Sequence, residues 1–272
     1  MTSTEIIHRW LRIPYKLHTR IVNAKTKPVA TVVLIHGIGN NGDYWNNLIE
    51  KMPKNVKIIT INLLGFGKSP KQHWISYDAK TQARSVFATI FKERFFGKLI
   101  IVGHSLGALV AVEIAERYPL LASSMILCSP PFYNQELDGS GIISRSDKVL
   151  KDIYKTAQRY PEQFIRMANV AKRYGLINKE FNLTNQNVNV FMETLKTAIV
   201  NQTSFQDARR LKLPITIIRG TLDPLVVARN LKELTKGSRN IRLKTVVAGH
   251  EVTGPMAKMV VDIINAQVSS RL

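Results

Sequence analysis

Short apolar runs, mostly β-branched, recur along this chain of 272 residues, with stretches of helical length between the later ones. They are Thr31 to Ile35 (TVVLI), Val56 to Ile61 (VKIITI), Leu99 to Val102 (LIIV), Met125 to Cys128 (MILC), Ile215 to Ile218 (ITII) and Ile241 to Val247 (IRLKTVV). Most are apolar on both faces. A strand of that kind must be covered on both sides, as in a parallel sheet sandwiched by helices. Residues 45–51, 80–95, 106–117, 226–235 and 256–268 carry the helical patterns. Strand alternating with helix predicts an α/β fold with helices on both faces of the sheet, and in such sheets sites form beyond the carboxyl ends of the strands. Residues 16–22 (KLHTRIV) alternate instead and predict an earlier, half-exposed strand.

The alternation breaks between residue 131 and about 205, where no strand pattern occurs. Val149, Ile153, Ala157 and Tyr160 repeat at helical spacing, as do Phe164, Met167, Ala168, Ala171 and Tyr174, the latter set ending at Gly175, a C-cap residue. Phe191, Leu195, Ala198 and Ile199 form a third apolar face. The expected organisation is therefore a core of residues 1–130 and 206–272 with a helical insertion at 131–205. Aromatic and methionine stripes such as Phe132, Tyr133, Phe164, Met167, Phe191 and Met192 read first as helix packing and second as the lining of an acyl pocket.

The formal net charge is +20. Such a balance raises nucleic acid or an anionic membrane as partners. The excess is spread along the chain, however, with five net positive charges in each of residues 1–30, 31–130, 131–212 and 213–272. No nucleic-acid motif accompanies it, so a solvated basic surface is expected and nucleic acid is not. No apolar run reaches the roughly 18 residues of a membrane-spanning helix. The segment MTSTEIIHRWLRIP has charges within its apolar stretch and reads as neither a secretory signal nor a strong membrane anchor. The single cysteine, Cys128, suits a reducing compartment, and the expected location is cytoplasmic.

The run LIIV leads into Gly103-His104-Ser105-Leu106-Gly107 and then a strong helix former. A serine between glycines where a strand becomes a helix is either a tight turn or a nucleophile lifted clear of the sheet. Its hydroxyl needs a base to become nucleophilic. Of six histidines, His250 lies in the loop AGHEVTG after the last strand pattern, at the same sheet edge. Asp223, in RGTLDPLV after ITII, shares that edge and would orient the imidazole; the bland reading is a turn aspartate before Pro224. The order Ser105, Asp223, His250 is that of one hydrolase architecture. Leu106 N–H, first in the helix, and Ile38 N–H, in the glycine-rich loop His36-Gly37-Ile38-Gly39-Asn40-Asn41-Gly42, are the expected donors to a tetrahedral oxyanion. His36 is expected to brace that loop, and His104 to pack beneath the turn.

With LIHGIGNN, NLLGFGKS, VGHSLGA, RGTLDPLV and AGHE in this order, the chain resembles the α/β-hydrolase superfamily from about residue 16 to its end. The resemblance implies a mostly parallel eight-stranded core, the helical insertion as a cap, no cofactor, and the triad Ser105, Asp223, His250 with Ile38 and Leu106 as oxyanion donors. Asn62 stands where many relatives have aspartate. A serine nucleophile argues against the dehalogenase and epoxide-hydrolase branches. The expected activity is hydrolysis of a carboxylic ester of a small, largely apolar substrate. Carbon–carbon bond hydrolysis, thioester or amide cleavage, and a non-catalytic ligand receptor on the same fold are the alternatives. Gly65-Phe66-Gly67-Lys68-Ser69 lacks the spacing of a phosphate-binding loop. No His or Cys pair has zinc-ligand spacing. Oligomeric state is not legible.

Overall fold

A computed structural model describes residues 3–23, 27–133 and 145–269. The chain enters through α1 (Ser3–Glu5) and one π-helical turn (Ile6–Trp10), then forms β1 (Thr19–Val22), β2 (Ala30–Ile35), a 3₁₀ turn (Gly42–Trp45), α2 (Asn46–Ile49), β3 (Val56–Ile61), α3 (Ala79–Lys92), β4 (Lys98–His104), α4 (Leu106–Arg117) and β5 (Ser124–Cys128). The region between β5 and the next strand carries α5 (Arg145–Arg159), α6 (Pro161–Arg173), α7 (Val188–Thr194), a π-helical stretch (Leu195–Val200) and α8 (Ser204–Arg210). The chain closes with β6 (Ile215–Gly220), α9 (Ala228–Thr235), β7 (Ile241–Val246) and α10 (Gly254–Ser269).

The strands form one sheet in the order β1-β3-β2-β4-β5-β6-β7. All neighbours are parallel except β1, which runs antiparallel to β3. Every residue of β2, β3 and β5 is buried, as the doubly apolar runs require, and their side chains alternate between two cores. Val33, Ile35, Ile59 and Ile61 face the core beneath α3, α4, α8 and α9. Val32, Leu34, Val56 and Ile58 face the core beneath α2 and α10. Both edge strands, β1 and β7, are only partly buried.

The sheet has seven strands among the described residues, not the eight that the resemblance implied. The difference falls at the start of the chain. Leu17 N–H bonds to Thr89 Oγ1 and His18 N–H to Ser69 Oγ, so side chains of the core take the donors that another strand would have used. The helix expected at 45–51 begins earlier, because the Asn41 side chain accepts the Asp43 N–H at 2.7 Å and starts the 3₁₀ turn.

Of the insertion expected over 131–205, residues 134–144 lie outside the described residues, as does the side chain of Val149. The remainder is helical except at 131–133, 160, 174–187 and 201–203, and packs onto the sheet core through Ile165, Val188, Phe191, Leu195 and Ile199. Gly175 ends α6 as its sequence suggests. It has φ +70°, with its own N–H on the Lys172 carbonyl and the Leu176 N–H on the Ala171 carbonyl. Those two bonds are a Schellman close. Where the chain leaves and rejoins the sheet, Gln202 Nε2 donates to the carbonyls of Pro131 (2.7 Å) and Ile199 (2.9 Å), and Asn230 Nδ2 donates to the Phe132 carbonyl (2.9 Å).

Candidate active site

Ser105 sits where β4 becomes α4, at φ +51° and ψ −116°. A non-glycine residue there costs about 1–3 kcal/mol and persists only when its surroundings impose it. The surroundings are specific. The Ser105 N–H bonds to the Cys128 carbonyl at the end of β5 (3.0 Å), and its carbonyl accepts the Ala108 N–H (2.9 Å). A methyl group at Gly103 would strike the Gly107 carbonyl, and one at Gly107 would strike the Ile35 carbonyl. Both glycines are therefore demanded by the closeness of strand to helix. Ser105 occupies the N-cap of α4 yet makes no side-chain cap bond. A serine in that position ordinarily spends its oxygen on a helix N–H; here the oxygen is free and faces a cavity.

Asp223 and His250 follow β6 and β7. Their loops are laced together: Thr221 N–H bonds to the Val246 carbonyl (2.9 Å) and Leu222 N–H to the Ala248 carbonyl (3.0 Å). Asp223 Oδ2 lies 2.9 Å from His250 Nδ1, and Oδ1 accepts the Leu225 N–H at 2.9 Å. Burial presses the Asp223 carboxyl upward, but the His250 ring, the Leu225 N–H and the Ser129 hydroxyl more than offset it and hold it below the usual carboxylate value. Ser129 Oγ also lies 3.9 Å from Met256 Sδ, a far weaker acceptor than the carboxylate. With Nδ1 committed to Asp223, His250 keeps Nε2 for a proton from elsewhere.

Ser105 and His250 line one cavity of about 320 Å³, together with Ile38. Neither the Ile38 N–H nor the Leu106 N–H has an acceptor among the described residues. For Leu106 this follows from its place in the first turn of α4, where N–H groups have no intrahelical partner. Apart from Asn40, His104 and Glu251, the rest of the wall is apolar and comes largely from the helical layer: Ile153, Phe164, Met167, Ala168, Phe191 and Leu195 among others. Of the stripes read first as packing, Phe164, Met167 and Phe191 thus line the cavity. Phe132 is core, and Met192 packs against the core without reaching the cavity.

Two other histidines hold the scaffold. His36 Nδ1 donates to the Gly37 carbonyl (2.7 Å) and Nε2 accepts the Leu63 N–H (3.0 Å), which fixes the loop carrying Ile38. Burial lowers its pKa to about 4. His104 donates from Nε2 to the His250 carbonyl (3.0 Å) and stacks on Tyr44 with ring centroids 4.9 Å apart. Burial first, then the neighbouring His250, lowers its pKa to about 3. Asn62, in the place of the aspartate of many relatives, accepts the Gly42 N–H at 2.6 Å and braces the same loop as a neutral group. Tyr44 and Ser129 carry no motif signal; their contacts with Val252 and Asp223 cross 208 and 94 positions of sequence. Among the described residues no cluster of His, Cys, Asp and Glu could hold a metal ion, and no helix is long and apolar enough to cross a membrane.

A sequence model of the alpha/beta hydrolase fold matches residues 30–253, and the chain belongs to that family. Among curated proteins it is 28% identical over 116 residues to the probable lysophospholipase BODYGUARD 4 of Arabidopsis thaliana, a match covering 42% of this chain and 28% of that protein. It is 31% identical over 121 residues to lipase LipV of Mycobacterium tuberculosis, covering 44% of each. The matches thus span less than half the length of these relatives. Among solved structures the chain superposes on an esterase from Exiguobacterium antarcticum with a TM-score of 0.77 at 15% identity, covering 94% of this chain and 96% of that one. The corresponding values for an enol-lactonase from Burkholderia xenovorans are 0.74, 17%, 93% and 96%. At these identities the likeness is one of fold.

Proposed function

We propose that this protein is a serine hydrolase that cleaves a carboxylic ester of a small, largely apolar substrate through an acyl-enzyme. One observation carries the reading: an N-cap serine in a strained backbone leaves its hydroxyl unspent, in a cavity shared with a histidine whose other nitrogen is held by a buried aspartate. His250 Nε2 accepts the Ser105 proton as Oγ attacks the carbonyl carbon. The charge that develops on the carbonyl oxygen is met by the N–H groups of Ile38 and Leu106. The tetrahedral intermediate collapses, His250 gives its proton to the departing alcohol, and a water activated by the same imidazole releases the acid. Asp223 keeps the imidazole in the required tautomer and balances the imidazolium. In this reading residues 131–205 are a cap whose apolar wall receives the acyl group, and 1–130 with 206–272 are the catalytic core. The lone cysteine, Cys128, is buried and suits work in the reducing cytoplasm.

The apolar wall also fits the names of the lipase and lysophospholipase relatives. A fluorophosphonate probe, with the adduct located by peptide mass spectrometry, tests the nucleophile without knowledge of the substrate. Labelling at Ser105 that disappears in His250→Ala is expected. Folded protein that takes no label would remove the activated serine and with it the proposal. Turnover of ester, thioester, amide and vinylogous diketone substrates then separates the ester reading from its neighbours.

A further inference from the structure

The outer face of α6 does not look like the surface of a helix that meets only water. Met167, Val170 and Tyr174 follow one another at four, three and four positions from Gln163, so they form one stripe. They are 63%, 55% and 74% exposed, and Leu176, just beyond the Schellman close, is 75% exposed. The opposite face, with Phe164, Ala168 and Ala171, lines the cavity. Met167 belongs to both faces: it borders the cavity and stands mostly in solvent. The apolar stripe is therefore continuous with the cavity wall. Contiguous exposed apolar side chains of this kind mark an interaction surface.

The charges around the stripe say what kind. Arg166 and Arg173 follow one flank of the stripe, are exposed and belong to no ion pair among the described residues; Glu162 is the exposed acid on that flank. Arg159 lies over the Tyr160 ring at the start of the helix. A second copy of this chain would bring like charges together on top of a net +20 in each. A nucleic acid would leave the apolar stripe unmatched. An anionic lipid–water interface matches both, since it offers hydrocarbon to Met, Val, Tyr and Leu and negative headgroups to the flanking cations.

We propose that α6 and the turn after it are a docking surface for anionic lipid interfaces, seated at the mouth of the cavity. The inference concerns binding and stands apart from the identity of the nucleophile.

Cosedimentation of the full chain with vesicles of phosphatidylcholine alone, or with about 30% phosphatidylglycerol, tests it. Each exposed cation near an anionic surface strengthens binding about fivefold, so Arg166 and Arg173 together predict a contribution of about twenty-fivefold to the preference for anionic vesicles at low salt, shrinking as salt rises. Because a chain of +20 binds anionic vesicles to some extent through any surface, the deciding variant is apolar: Val170→Ser/Tyr174→Ser/Leu176→Ser. Its thermal midpoint serves as the folding check. Loss of at least tenfold in binding by that variant, and a fall of about twenty-fivefold in the anionic preference in Arg166→Gln/Arg173→Gln, are the expected results. Binding unchanged in the apolar variant, or equal binding to neutral and anionic vesicles, would overturn the proposal. So would a dimer in solution that the apolar variant dissociates.

Discussion

Acid should loosen this protein through two histidines that take no part in the proposed chemistry. His36 and His104 are fully buried and neutral, with values lowered to about 4 and about 3 from 6.5. The direction of the effect follows from proton linkage. In the folded state these rings resist protonation, whereas in the unfolded chain they accept it below 6.5, so acid favours the unfolded chain. Their stabilising contribution is complete above 6.5, declines as the pH falls, and levels off only below the folded values. Between pH 8 and pH 5 each ring should cost about 2 kcal/mol and the pair about 4 kcal/mol, at 1.36 kcal/mol per unit of difference. Urea unfolding at the two pH values measures this directly. The high positive charge adds its own acid sensitivity, so the informative quantity is the change from wild type. His36→Gln and His104→Gln should each remove about 2 kcal/mol of the pH 8 to pH 5 difference. Glutamine can reproduce the acceptor that His36 offers Leu63 and the donor that His104 offers the His250 carbonyl. A wild-type protein equally stable at both values, or variants with its full pH dependence, would refute the reasoning.

Three further outcomes follow from the site. Ser105→Gly should raise stability by about 1 kcal/mol, because glycine relieves the positive-φ strain, while turnover falls at least about a thousandfold; denaturant midpoints and kcat record the two. Asp223→Asn should keep the fold and lower kcat by about ten-thousandfold, as the amide no longer selects the His250 tautomer; a loss under tenfold would remove Asp223 from its role. Ala168→Phe should fill part of the cavity and lower kcat/KM for a decanoate ester by about tenfold or more relative to a butyrate ester, with unchanged relative rates as the refuting result.

The strands were legible where burial is two-sided. TVVLI, VKIITI and MILC are apolar at every position or nearly so because helices cover both faces, and each became a strand within a residue of its expected bounds. Residues 16–18 carry the alternation of a strand yet lie outside β1. Tyr15 and Leu17 are buried as an alternating strand would bury them, but the backbone partners of Leu17 and His18 are hydroxyls from distant segments, which no local pattern reveals. In the site, the positions of Ser105, Asp223 and His250 at strand ends could be read because parallel strands place successive loops along one edge. Ser129 and Tyr44 could not, since their roles arise only when loops far apart in sequence meet. The place of Phe164, Met167 and Phe191 on the cavity wall was hidden for another reason. Periodicity tells which face of a helix is apolar, not whether that face meets other side chains or an empty volume.

The lacing by Gln202 and Asn230 gives the helical layer a narrow neck. Its outgoing and returning segments are tied to each other through the Pro131 carbonyl, and the outgoing one is pinned to α9 through Phe132. A door hung this way has its two leaves fastened at the jamb. Swinging the whole layer open would break those bonds and drag on Ser129, next to the paired Pro130 and Pro131, and so on the carboxylate that Ser129 touches. Displacement of the layer as one body would therefore reach Asp223. A flexing of the layer within itself would leave that neck, and the carboxylate beyond it, undisturbed.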